Sequence, residues 1–391
     1  SVLIRPCRFL LRFVLRNFKR EIRMSEGTGR RPGFEMFCFY SLRLMLPSER
    51  NGFNGAIDNF GSMTQFVNRQ QILQAALCPI ASDMLEVESI IANEVKSAVE
   101  RVQDIASYIT QAGGKRMRPA LLILMARALG ADADKAAYLG AVIEILHTAT
   151  LMHDDVVDEG LMRRGRETAN AKWGNPQAVL VGDFLYTRSF QMMVKTGNLR
   201  VMKALSDAAN RLSEGEVLQM KNAHNPDIDE ASYFAVIERK TACLFVAAAG
   251  MAAAIAPATQ AQEAACREYA LRLGNAFQIA DDILDYVGNA QATGKALGAD
   301  LREGKVTLPL LYAMQKADKS DRRLLCEAIR TGDGDFKAIE AIIEKTGALA
   351  RSLETAHAQV RLGKEAIEQL PVGLFRDSLI KFLTLAVDRE F

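Results

Sequence analysis

Histidine and cysteine are scarce in this sequence of 391 residues, and both are scattered. The six cysteines, Cys7, Cys38, Cys78, Cys243, Cys266 and Cys326, form no CxxC pair, and there are four His. Zinc-ligand spacing and a disulfide framework are therefore both absent, and a reducing, cytoplasmic setting fits best. An excess of one charge is lacking too: 49 Lys and Arg stand against 47 Asp and Glu, a formal net charge of +2. That balance argues against nucleic acid as the partner. No apolar run approaches the roughly 18 residues that span a bilayer. The nearest, Leu244 to Pro257, is rich in alanine and reads as a buried helix. Strand-like alternation of useful length is missing, and so is any solenoid-type repeat.

What is present is helical periodicity from Ile80 onward. Ser82-Asp83 can cap a helix running to about Gln111, which Gly113-Gly114 end. Pro119 opens the next helix in the favoured first turn. Further helices are expected over 134–158, 176–196, 200–222, 229–256, 261–287 and 306–317, with shorter ones in 320–370 and a last one over about 373–388. The nearly all-round apolar stretches 244–256 and 264–280 belong at the centre. The expected fold is all-α, one large single-domain helical bundle with a central cavity. Residues 1–75 differ: SVLIRPCRFLLRFVLRNFKREIR is Arg-rich, apolar and poor in acids. The favoured reading is an upstream extension, with Met24 or Met63 as candidate starts. A transit peptide or membrane-surface helix and a functional arm are the alternatives. The catalytic domain is then 76–391.

Carboxylates stand out against this apolar background. His153-Asp154-Asp155-Val156-Val157-Asp158 closes the run Ala141 to Met152. Asp154 and Asp158 are four apart and share a helix face, with Asp155 beside them. Like charges next to apolar surface are costly unless a cation lies between them. A second copy, Asp281-Asp282-Ile283-Leu284-Asp285, closes another apolar run. Acids at a helix C-terminus oppose the macrodipole, so two solvated helix ends are the weaker explanation. Oxygen-only ligands suit a hard cation, Mg²⁺ above all when substrate phosphates share its shell.

Basic groups complement the acids. Gly113-Gly114-Lys115-Arg116-Met117-Arg118-Pro119 is no Walker loop, but its glycines admit an anion that Lys115 and Arg118 can grip beside a helix N-terminus. Arg163-Arg164-Gly165-Arg166 follows the first acidic motif and suits a polyphosphate bridged to Mg²⁺; a salt bridge to Asp158 or Glu159 is the plainer reading. Lys240-Thr241 and Gln278 interrupt apolar helices, either for substrate or as satisfied core polar groups. Thr293-Gly294-Lys295 and Glu303-Gly304-Lys305 read as a lid over phosphate or as a surface loop.

These motifs, GGKRMRP, HTATLMHDDVVDEGLMRRG, VGDFLY, EGEVLQM, ERKTACLF, FQIADDILDY, TGKALGAD and EGKVTLP, resemble those of the trans-isoprenyl (polyprenyl) diphosphate synthases, most of all the bacterial octaprenyl and decaprenyl members. The resemblance covers about residues 80–391. It implies Mg²⁺-dependent head-to-tail condensation of isopentenyl diphosphate with an allylic diphosphate, giving a long all-trans chain for a quinone side chain. It implies two or three Mg²⁺ ions, with Mn²⁺ as a substitute, a homodimer, and membrane contact that is at most peripheral. By resemblance the metal ligands are Asp154, Asp158, Asp281, Asp282 and Asp285, with Asp155 supporting. Lys115, Arg118, His147 and Arg164 hold isopentenyl diphosphate. Arg163, Lys240, Thr241 and Gln278 hold the allylic partner, on which Lys295 and Lys305 close.

Ala149 lies five residues before Asp154, where short-chain relatives are expected to carry a bulky aromatic. Ile145, Leu146 and Val142 follow at successive turns of about 5.4 Å, so an apolar tunnel beside helix 178–194 is expected, and the resemblance implies a product of about eight to ten isoprene units. Phe190 or Met193 are candidates for its floor. A farnesyl or geranylgeranyl diphosphate synthase is the main alternative. A terpene cyclase and a non-catalytic partner subunit are disfavoured, because both acidic motifs and a second set of basic residues are intact.

Overall fold

The computed structural model describes residues 72–287 and 297–387, all within one unit by chain contacts. The expectations for residues 1–71 and for Thr293-Gly294-Lys295 lie outside the described residues. Sixteen helices are numbered here: α1 (Ala81–Glu94), α2 (Glu100–Thr110), α3 (Met117–Ala128), α4 (Ala133–Val157), α5 (Ala169–Trp173), α6 (Asn175–Lys195), α7 (Leu199–Asn222), α8 (Glu230–Ile237), α9 (Cys243–Ala254), α10 (Gln260–Val287), α11 (Ala299–Arg302), α12 (Leu308–Lys316), α13 (Lys319–Thr331), α14 (Phe336–Lys345), α15 (Ala348–Ala366) and α16 (Leu374–Val387). Side chains of Asp132, Asn198, Asp229, Asp318 and Asp335 accept N–H groups at helix starts, where otherwise four donors go unpaired. Pro176 and Pro309 occupy first turns, where their missing N–H costs nothing.

Helix α9 is apolar all round and sits at the centre, packed on α3, α7 and α10. Helix α4 packs on α1, α3 and α6, and its buried residues run from Ala136 to Met152 and include Asp155. Tyr269 and Tyr286 are fully buried on α10, and the Tyr269 hydroxyl donates to Leu379 O at 2.7 Å, tying α10 to α16. The two acidic motifs therefore end the long helices α4 and α10, both anchored in one core.

Three local features depart from expectation. The first expected helix is two, because the chain turns between Glu94 and Glu100. Ser97 Oγ accepts from Val99 N–H and Gln103 accepts from Ser97 N–H, so side chains start a new helix there. Asp83 is not a cap; it lies inside α1 and pairs with Arg127 at 3.4 Å. Strands do occur, as a four-residue hairpin pairing Met162 with Glu167 and Arg163 with Arg166. Its turn residues Arg164 and Gly165 both have positive φ, the geometry that two-residue hairpins require.

The third departure concerns the expected helix 229–256. Between α8 and α9, Glu238–Ala242 form a π-helical turn that contains Lys240 and Thr241. Such turns widen the helix and re-aim side chains, often at functional sites. Glycines hold it from two sides. A Cβ at Gly215 of α7 would lie 2.8 Å from Lys240 N, and one at Gly274 of α10 would lie 2.5 Å from Ala242 Cα.

Candidate active site

A cavity of about 600 Å³ opens between the ends of α4 and α10. Its acidic lining is Asp154 and Asp158 from α4, Asp281 and Asp282 from α10, and Asp300 from α11. Its basic lining is Lys115, Arg116, Arg118, Arg163, Arg164, Lys240 and Lys305. His147, Thr241 and Gln278, foreseen from sequence, line it as well. These fifteen side chains, from seven stretches of chain, meet in one space.

Helix geometry places the first acidic pair. Asp158 caps α4, its N–H donating to Asp154 O at 2.8 Å. Burial, then the Glu216 carboxylate, raises the Asp154 carboxyl from 3.8 to about 7; Asp158 adds to the rise, while Lys240 and Arg163 oppose it. Asp155 faces the other way. It is buried, does not line the cavity, and is gripped by Arg163, whose Nε donates to Oδ1 at 2.8 Å and to Oδ2 at 3.0 Å. The same Asp155 supports the hairpin: Asn170 Nδ2 donates to its carbonyl at 3.1 Å and to Gly160 O at 3.0 Å. Arg163 is therefore paired with Asp155, not with Asp158 or Glu159.

The second pair sits in a chain of hydrogen bonds. Thr241 Oγ1 donates to Gln278 Oε1 at 2.7 Å, Gln278 Nε2 donates to Asp282 Oδ1 at 2.8 Å, and the Tyr233 hydroxyl donates to Asp282 Oδ2 at 2.6 Å. Burial raises the Asp282 carboxyl well above its usual range, Asp300 and Asp281 add to this, and the two donors oppose it. Asp285 does not line the cavity. Its oxygens accept from Ala299 N–H at 3.1 Å and Asp300 N–H at 3.0 Å, so it caps α11.

The cations are held by distinct means. Lys240 Nζ donates to Glu216 at 2.7 Å and to Gln219 at 2.6 Å. Arg118 stacks on Phe245 with its guanidinium carbon 4.7 Å from the ring centre, and Lys115 lies 5.6 Å over Phe277. Burial lowers the Arg118 pKa, yet a guanidinium keeps its charge in proteins. Burial also opposes the charge on Lys305, but Asp158 at 3.7 Å and Glu303 outweigh it, and the pKa is raised. His147 opens on the cavity from deep in the fold. Desolvation first, then Arg118, Arg164, Arg163 and Arg116, push it well below 6.5, so the imidazole is neutral. Arg116, the remaining cation of the GGKRMRP stretch, adopts a left-handed backbone and turns to Glu88 and Glu144. It braces the loop that presents Lys115 and Arg118.

Glu144, Glu216, Gln219, Asn222, Tyr233 and Asp300 are among the lining residues that sequence reasoning left without a role. Glu216 and Gln219 carry a signal, since they are three apart on α7 and share a face. Tyr233 carries none, being 49 positions from Asp282. Ala149, Ile145, Leu146 and Val142 are fully buried and do not line this cavity.

No three His, Cys, Asp or Glu side chains close into a metal cage among the described residues. The donor set still fits Mg²⁺. It is oxygen-only, and the carboxylates of Asp154, Asp158, Asp281 and Asp282 line one cavity. Mg²⁺ often takes one or two carboxylates and completes its shell with water and phosphate oxygens.

An all-helical bundle with two facing acidic helix ends and a basic rim defines the class of prenyl-transferring synthases. Residues 99–346 match the model of the polyprenyl synthetase family, and the chain belongs to that family. It is 44% identical to the octaprenyl diphosphate synthase of Haemophilus influenzae over 312 residues, covering 79% of this chain and 94% of the relative. Among solved structures it is similar to the polyprenyl synthase of Caulobacter crescentus complexed with calcium and isoprenyl diphosphate, with a TM-score of 0.77, 38% identity and 81% of this chain and 98% of that chain covered. The decaprenyl diphosphate synthase of Rhodobacter capsulatus also gives a TM-score of 0.77, at 39% identity over 81% of this chain and 100% of that one. The chain is thus an enzyme of the prenyltransferase class.

Proposed function

We propose that residues 76–391 catalyse Mg²⁺-dependent head-to-tail condensation of isopentenyl diphosphate with an allylic diphosphate, making a long all-trans polyprenyl diphosphate for a quinone side chain. One observation carries this reading: a single cavity joins two acidic helix ends to seven cationic side chains. Such a cavity suits two diphosphates and the hard cations between them.

Asp154, Asp158, Asp281 and Asp282 would hold Mg²⁺, which when bound supplies Lewis-acid neutralisation of the diphosphate leaving group. Lys240 and Lys305 add fixed positive charge beside the same carboxylates, aimed at the charge that develops as the allylic C–O bond breaks. Arg118, Lys115 and Arg164 form the second anion site, under which neutral His147 donates without adding charge. Gln278 and Thr241, linked at 2.7 Å, line the cavity between these groups and orient the allylic carbons. The new C–C bond forms by attack of the isopentenyl alkene, and the proton then lost goes to the released diphosphate. No protein nucleophile is required.

The relatives at 42–44% identity favour a long product, since they are octaprenyl and nonaprenyl diphosphate synthases, whereas short-chain and geranylgeranyl synthases match at 32–34%. The closed packing at Ala149 favours a second reading, a short product. A homodimer is part of the proposal. Val179, Leu180 and Val194 on α6 and Leu199 on α7 are exposed apolar side chains of the kind interfaces cover. Purified protein given farnesyl and isopentenyl diphosphates with Mg²⁺ should yield products of about eight to ten isoprene units by reversed-phase chromatography. A ladder stopping at four units supports the short-chain reading; no condensation at all overturns the proposal.

A further inference from the structure

We propose that His224 is a positioning residue that locks the Lys305 turn over the diphosphate site; this rests on the role assigned to Lys305 above. His224 follows α7 with φ of 60°, a left-handed conformation that non-glycine residues rarely adopt. Three segments converge on it. Its backbone N–H donates to Gly304 O at 2.9 Å, and its Nδ1–H donates to Ile329 O, near the end of α13, at 3.0 Å. Its ring covers Gly304 so closely that a Cβ there would lie 2.6 Å from three ring atoms.

The turn so held leads directly into the site. Lys305 N–H donates to Asp300 O at 2.7 Å, and Lys305 Nζ lies 3.7 Å from Asp158. Asn222 and Ala223, just before His224, line the cavity, as do Lys305, Val306 and Thr307 after Gly304. The backbone of His224 thus ties the end of the helix bearing Glu216 and Gln219 to the turn bearing Lys305, and the imidazole packs on that turn and fastens it to α13. Holding a long lysine side chain at one place spares the entropy of ordering it when the diphosphate arrives.

The test is a double-mutant cycle of His224→Gly and Lys305→Ala, with His224→Asn as the conservative variant. Glycine accepts the backbone and removes the ring; asparagine accepts it and places an N–H near Nδ1. His224→Gly should lower kcat/KM for the allylic diphosphate about tenfold, leave the KM for isopentenyl diphosphate within about twofold, and have little further effect once Lys305 is alanine. His224→Asn should recover most of the loss. Full activity in His224→Gly, or an undiminished loss in the Lys305→Ala background, overturns the proposal. If His224→Gly does not fold, His224→Leu, which keeps bulk over Gly304 and lacks the donor, replaces it in the cycle. Lys305→Ala alone separates the two readings: no effect there refutes the role of Lys305, whereas a large effect with additive His224 variants refutes only the clip.

Discussion

Asp154 shows how the site works against the stability of the fold. Its folded pKa of about 7 lies above the ordinary 3.8, so the folded chain holds a proton that the unfolded chain has lost. The stability of the metal-free protein therefore falls as pH rises from about 4 to about 7 and is flat above that, with respect to this group. The rise corresponds to on the order of 4 kcal/mol of unfavourable charging. Asp154→Asn should accordingly raise the melting temperature of the metal-free protein at pH 8 while lowering kcat by at least about a hundredfold. Thermal melts at pH 5 and pH 8 check the sign, since the gain should shrink at the lower pH. Tyr233 makes the opposite case. Tyr233→Phe removes the 2.6 Å bond to buried Asp282 and should cost about 1–3 kcal/mol in urea unfolding. An unchanged midpoint would show that Asp282 does not depend on it.

At the scale of elements, close approach decides the site. The π turn bearing Lys240 and Thr241 fits only because α7 and α10 present Gly215 and Gly274 to it. A Cβ at Gly274 meets the Cα and Cβ of Ala242, a backbone contact that no rotamer change relieves. Gly274→Val should destabilise the protein by about 1–3 kcal/mol in urea unfolding and lower activity by displacing Lys240. Helix α4 offers a separate test, because it carries Asp154 near its end and apolar side chains beneath it. Ala149→Phe should shorten the product ladder on reversed-phase chromatography; an identical ladder would remove this wall from the account of chain length. Ala149 is fully buried, so accommodating phenylalanine requires α4 and α6 to yield.

For the whole molecule, ligand binding and stability are linked. Charges of one sign face each other across the cavity, so Mg²⁺ with inorganic diphosphate should stabilise the fold where either alone does so less. At about a hundred times Kd the gain is about 2.7 kcal/mol, or about 5 °C in a thermal melt. Equal shifts from diphosphate with and without Mg²⁺ would contradict a shared site. Among the described residues no helix is long and apolar enough to cross a membrane.

Much of this was legible in the residues. Helix spans such as 134–158 and 261–287 fall within a residue of α4 and α10, because long apolar periodicity and capping Asp residues are local signals. The two acidic motifs, the GGKRMRP cations and Lys240-Thr241 could be singled out because charge inside an apolar helical pattern is anomalous by itself. Tertiary structure alone decided which of those charges face the cavity. It turned Asp155 to Arg163, Arg116 to Glu88 and Glu144, and Asp285 to the start of α11, all from motifs whose spacing treats the residues alike. It also brought Tyr233 to Asp282 and His224 to Gly304, pairs far apart in the chain. The physical reason is that propensity and periodicity act over a few residues, whereas a carboxylate's partner, hydration and proton depend on whatever the packed chain places within a few ångströms of it.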